Sequence, residues 1–209
     1  MKKNIPLLIG LLFTLTSCLK IIEEIKINDD LSGNITYRLE TNKSESLLNS
    51  ITKFIDVSFT DQLKNEVAEL ASKLRNKEGI TNVEFLIDEK TDNYFLSYDF
   101  TNTKDLNNAL YGKKGFFSPS YIKISEHKFK KLNFAPWLKK YFKKENIQVL
   151  DDEILEIITY QAIYYFPREV IRVKNKTARL SDNRKTVSQS YQAADIIENK
   201  VNVGNKIKY

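Results

Sequence analysis

Two short runs of alternating side chains, "KIIEEIKI" (20–27) and "NITYRLE" (34–40), flank the turn-rich "NDDLSG". In the first, Ile21, Ile25 and Ile27 share one face, with Glu23 the exception, while Lys20, Glu24 and Lys26 share the other. In the second, Ile35, Tyr37 and Leu39 alternate with Asn34, Thr36, Arg38 and Glu40. A period of two puts successive side chains on opposite faces of a pleated strand, so residues 20–41 are predicted to form a hairpin. A hairpin with one apolar face is at best marginally stable alone, so further strands or helices must cover it.

The rest of the chain supplies both. "VEFLID" and "NYFLSYDF", joined across Glu89–Asp92, predict a second hairpin, and "SYIKIS" with "KFKKLNF" a third. Residues 43–55 switch to a helical period, with Leu47, Leu48, Ile51, Phe54 and Ile55 on one stripe. A longer helix is predicted at about 60–77, capped by Ser58 or Thr60, lined inward by Leu63, Val67, Leu70, Ala71 and Leu74, and stopped by Gly79. Short helices are predicted for "KDLNNALY", for "APWLKKYFKK" with Pro136 in its first turn, and for "DDEILEII" with its acids at the N-terminal end. The C-terminal part reads as strand-rich with a turn at Asp182–Asn183. No Pro/Gly/Ser linker and no internal repeat divides residues 20–209. The prediction is one α+β domain over 18–209, a mainly antiparallel sheet of hairpins with amphipathic helices packed on one face.

Residues 1–17 carry two lysines, an apolar run from Ile5 to Leu15, then Thr16 and Ser17, the layout of a secretory signal. About eleven apolar residues are too few to span a hydrocarbon core of ~30 Å as a helix. Leu15-Thr16-Ser17-Cys18 resembles the lipobox of bacterial lipoproteins, with an aliphatic residue three before the cysteine and a small one directly before it. The resemblance implies that the Cys18 sulfur receives a diacylglyceryl group. It also implies cleavage before Cys18, acylation of the new amine, and a mature chain of 192 residues once 17 of the 209 are removed. Two or three long acyl chains make such an anchor effectively permanent. Leu19 is not aspartate, and the family's sorting rule then implies the outer membrane in a host that has one. Cys18 is the only cysteine, so its use for lipid leaves none for a disulfide and stability must come from packing. Beyond the lipobox, "GITNVEFLID" and "YFLSYDFTNTKDLNNAL" resemble segments of uncharacterised envelope lipoproteins, and the hairpin directly after the cysteine resembles the LppM-like group. Neither resemblance implies a catalytic motif.

The residues offer little to ordinary catalysis. His127 is the only histidine and reads as a solvated hairpin residue, whereas hydrolytic triads and most zinc sites need imidazole. There is no GxSxG or P-loop motif, and six glycines are few for phosphate-cradling loops. Asp151, Asp152, Glu153 and Glu156 could serve a carboxylate-based glycosidase, but contiguous acids at a helix start are better explained by capping. Glu23 and Glu24 are strand neighbours facing opposite sides and are expected to make no site. Asn28, Asp30, Ser32 and Gly33 echo the front of a calcium loop, yet its twelfth position is Leu39 rather than glutamate, and a hairpin turn is expected. The expectation is therefore no catalytic residue, no cofactor and no metal.

The net charge of +6 becomes +4 without Lys2 and Lys3, with 31 basic residues against 27 acidic ones. That is mild for a nucleic-acid binder, and nucleic acid is the wrong ligand for a secreted, anchored protein. In "KFKKLNFAPWLKKYFKK" (128–144) seven lysines interleave with Phe129, Phe134, Trp137, Tyr141 and Phe142. The helical part predicts a core-facing stripe of Trp137, Leu138, Tyr141 and Phe142. Lys139, Lys140, Lys143 and Lys144 then form a solvated face, or one that contacts anionic headgroups or another envelope polyanion. The function expected is a non-catalytic module that binds an envelope protein partner or serves assembly, with a carrier or sensor of an amphipathic or anionic ligand as the alternative and a polysaccharide-acting enzyme third.

Overall fold

The first hairpin forms where the alternation places it, as β1 (Leu19–Ile27) and β2 (Gly33–Thr41). Their turn is closed by the Asn28 amide donating to the Ser32 carbonyl at 2.9 Å, with Leu31 in the left-handed region at φ 68°. The computed structural model describes residues 19–41, 57–88, 93–111, 120–144 and 152–209. The predicted helix at 43–55 lies outside those residues, as do Cys18 and the signal segment.

α1 (Val57–Arg75) starts three residues earlier and ends two earlier than the expected 60–77. Ser58 and Thr60 therefore lie inside the helix rather than capping it. Ala71 and Leu74 are buried as expected, but Leu70 is exposed. Beyond the helix Gly79 takes φ +73°, and a Cβ there would lie 2.5 Å from Asp105 Cβ, so the reversal into the next strand requires glycine. The second hairpin is β3 (Ile80–Asp88) and β4 (Asn93–Phe100), followed by α2 (Thr103–Tyr111). The third is β5 (Ile122–Ser125) and β6 (Lys128–Lys131). Then come α3 (Ala135–Lys144), α4 (Asp152–Ile157), β7 (Ile158–Tyr165), β8 (Arg172–Val173), β9 (Arg179–Leu180), β10 (Thr186–Gln192), α5 (Ala193–Ile197) and β11 (Asn205–Lys208).

The fold is α+β and dominated by antiparallel pairing, but its strands make two sheets where one was expected. The larger has seven strands in the order β3-β4-β2-β1-β7-β10-β9, and the smaller has four in the order β5-β6-β11-β8. β1 and β7 pair in parallel, Leu19 opposite Ile158, and the other pairs are antiparallel. Apolar and aromatic side chains from both sheets form one core. Phe129 of β6 meets Tyr164 of β7 at 4.9 Å between ring centroids, and Phe166 meets Tyr209 at 4.7 Å. These tilted ring contacts add to the large apolar area that each ring removes from water.

Candidate functional site

The face of the large sheet turned to this core holds a carboxylate. On β1 the predicted apolar face is inverted at two places: Glu23 is 0% exposed, while Ile21 is 37% exposed. Glu23 stands opposite Tyr37 on β2 and Ala162 on β7, and the small Ala162 leaves room above it. Lys131, the last residue of β6 in the other sheet, is 2% exposed and donates from Nζ to Glu23 Oε2 and to the Tyr160 hydroxyl. Tyr160 donates its hydroxyl to Glu23 Oε2, Tyr121 donates to Oε1 at 2.5 Å, and Tyr37 lies at 3.4 Å from Oε1. The ammonium is also ringed by aromatics, its Nζ 5.1 Å from the Tyr160 centroid, 5.3 Å from Tyr121, 5.4 Å from Phe134 and 5.9 Å from Tyr164. Cation–π attraction is strongest where water is excluded, as it is here.

Burial sets the protonation of this group. It pushes the hydroxyls of Tyr160, Tyr121, Tyr37 and Tyr164 well above their ordinary value, so they remain donors, and the Glu23 carboxylate adds to the effect at all four. Burial also lowers the Lys131 ammonium, opposed by its attraction to Glu23. Glu23 and Lys131 side chains are both fully enclosed, so the arrangement ties one sheet to the other and presents no acid or base to a solute. A second polar seam continues it: Gln189 donates to the Tyr164 hydroxyl at 3.1 Å and the Val203 carbonyl at 2.7 Å, and accepts from Asn205 at 3.2 Å.

The opposite face of the small sheet has a different character. Each of its strands is alternating, with apolar or enclosed residues inward and cations outward. Cross-strand register places Lys123 beside Lys130 and Lys130 beside Lys206. Lys174, just past β8, donates its backbone amide to the Lys206 carbonyl at 3.0 Å and extends that row. The next row is Ser125, Lys128, Lys208 and Arg172. All seven cations are exposed, and among the described residues none has a carboxylate within ion-pair distance. Lys130, Lys174 and Lys206 also rim a recess of about 330 Å³ whose walls include Asn133, Asn175, Asn202 and Asn205.

The residues singled out in the sequence are scattered. His127 sits exposed at the β5–β6 turn, 3.9 Å from Glu126. Asp30 spends its Oδ1 inside the first turn, accepting from the Ser32 amide at 3.0 Å and hydroxyl at 2.6 Å, which lowers its pKa. Glu24 pairs with Arg38 at 2.5 Å. Glu156 is exposed on α4, and Asp151 lies outside the described residues, as do the side chains of Asp152 and Glu153. On α3 the expected stripe is rotated: Ala135 is buried and Leu138 half-buried, while Trp137 is 59% exposed. Lys139 donates to the Glu198 carbonyl at 3.2 Å and Lys140 is exposed; the side chains of Tyr141, Phe142, Lys143 and Lys144 lie outside the described residues. Glu23, expected to make no site with Glu24, is enclosed with Lys131 between the two sheets, where the pair meets only other side chains. Glu23 is visible in the sequence as the one break in an apolar face, and alternation puts Lys131 on the face of Phe129 and Lys130 on the other; what the local sequence does not show is the carboxylate that meets Lys131 there.

No family profile matches the chain, and no curated protein does. Among solved structures it is similar to the NMR structure of the folded domain of LppM from Mycobacterium tuberculosis. The TM-score is 0.38 at 11% identity, over 100% of this chain and 94% of that one.

Proposed function

We propose that the chain is a lipid-anchored protein of the bacterial cell envelope whose folded part is a non-catalytic binding or assembly module. The anchor rests on the lipobox resemblance of Leu15-Thr16-Ser17-Cys18. β1 begins at Leu19, directly after that cysteine, which gives the anchored fold a very short tether. Among the described residues no helix is long and apolar enough to cross a membrane. Leu19 after the cysteine favours the outer membrane where the host has one.

The observation that carries the non-catalytic reading is the enclosure of Glu23 and Lys131. General acid–base work requires a group within hydrogen-bond reach of a substrate, and this pair reaches only other side chains. The space between the sheets near them is occupied by Tyr121, Phe134, Tyr160 and Tyr164, which disfavours an amphipathic ligand at that place. Mass spectrometry of the N-terminal peptide from the native host tests the anchor. The peptide should begin at Cys18 and carry acyl mass; a start upstream or a free thiol would refute it. Crosslinking of the anchored protein in intact envelopes tests the module, and recovery of no partner of any kind would count against it.

A further inference from the structure

We propose that the outward face of the four-stranded sheet is a docking surface for an anionic bilayer, which lays this side of the anchored protein against lipid phosphates. The inference rests on the envelope reading above and adds to it a face and a chemistry. Seven of the eight outward positions in two adjacent cross-strand rows are Lys or Arg, and the eighth is Ser125. Like charges directly opposite on neighbouring strands repel and destabilise a sheet. Here five such contacts stand together: Lys123–Lys130, Lys130–Lys206, Lys206–Lys174, Lys128–Lys208 and Lys208–Arg172. Folding alone gives no reason for that arrangement, since acids at alternate positions would relieve it.

The rows lie about 7 Å apart and neighbouring strands about 4.8 Å, so every charge has others within one Debye length of about 8 Å at physiological salt. Their fields therefore add. A broad array of this kind matches a surface of many phosphates better than a single small anion. The nearest acid in the sheet's own turns, Glu126, is beside His127 at the hairpin tip rather than in either row. The four lysines of α3 singled out in the sequence are a weaker candidate, because the Lys139 ammonium is already held by the Glu198 carbonyl.

The test uses the full chain carrying Cys18→Ala, mixed with vesicles of phosphatidylcholine alone or of phosphatidylcholine with phosphatidylglycerol. The apolar segment 5–15 contributes to both vesicle types alike, and Lys2 and Lys3 add the same anionic preference to parent and variants, so the difference between parent and variant on anionic vesicles reports the cationic face. Each lysine near an anionic surface is worth about fivefold in partitioning. Lys206→Gln should lower partitioning to the anionic vesicles about fivefold, and Lys130→Gln/Lys174→Gln/Lys206→Gln about 100-fold, with binding to zwitterionic vesicles unchanged. Melting temperatures of these variants should be equal or higher, because repulsion is relieved, so lost binding cannot be ascribed to unfolding. Lys139→Gln/Lys140→Gln should bind as the parent does. Equal binding of parent and triple variant, or a parent that ignores phosphatidylglycerol, would overturn the proposal. So would capture of soluble polyphosphate without any vesicle binding, which would identify a dissolved polyanion as the occupant. A failed anchor leaves these outcomes untouched, since it is read separately from the mass of the N-terminal peptide.

Discussion

Lys131 and Glu23 come from positions 108 residues apart, and their buried contact joins a strand of the small sheet to one of the large sheet. An ion pair enclosed this way is held by its hydrogen bonds as much as by charge: the carboxylate is approached by Lys131, Tyr160 and Tyr121, and the ammonium has four rings about it. Removing one partner strands the other. Lys131→Met should lower stability by about 3–5 kcal/mol in urea denaturation. Glu23→Gln combined with Lys131→Met should regain most of that loss, because the amide carbonyl still accepts tyrosine hydroxyls and no net charge stays buried. Strictly additive losses would refute the coupling. The same enclosure predicts a pH response. The folded chain holds the Tyr37, Tyr121, Tyr160 and Tyr164 protons above their ordinary 10.0, so the unfolded chain releases them first. Their contribution is full below that pH and is lost above it, at about 1.4 kcal/mol per pH unit for each group. Lys131, lowered by burial, acts in the opposite sense, but only below its ordinary 10.5. On the alkaline side of that value the tyrosines act alone, and urea midpoints there should fall steeply. A flat profile would contradict their burial.

At the scale of elements, the hairpins were legible because strand alternation is a local property. β1–β2, β3–β4 and β5–β6 all stand within a few residues of the alternating runs. α3 was legible as a helix but not in its orientation, since Trp137 and Leu138 are sequence neighbours and only the neighbouring elements select which one faces in. The reversal between α1 and β3 rests on Gly79. Gly79→Ala should cost about 1–3 kcal/mol, since the backbone is left-handed there and the new methyl meets Asp105. A thermal melt unchanged by this substitution would mean that the turn relaxes. The lysines of the small sheet illustrate the limit of reading along the chain. Residues 128–144 look like one basic segment, but Lys128 and Lys130 belong with Lys123, Arg172, Lys174, Lys206 and Lys208, while Lys131 points the other way into the core.

For the molecule as a whole, the C-terminal strand has a disproportionate role. β11 stands between β6 and β8, and without it the small sheet is cut in two. It also brings Ile207 and Tyr209 into the core, the latter donating its hydroxyl to the Ser125 carbonyl at 2.9 Å. Deleting residues 205–209 should therefore abolish cooperative unfolding, seen as loss of the near-ultraviolet circular dichroism. The two side chains alone carry several kcal/mol of a total that is typically only about 5–15. A truncated chain with a sharp transition would show that the small sheet is dispensable. What the sequence by itself determined was the three N-terminal hairpins, most of the helices and the α+β class, because each is encoded in spacing within a dozen residues, whereas the short α5 went unread in a strand-rich stretch. Only the tertiary structure decided that there are two sheets, that Glu23 and Lys131 are sealed between them, and that cations from three separate segments share one face. Those outcomes depend on which elements close against each other over long separations, and a residue's period in its own strand carries no information about its partner in another sheet.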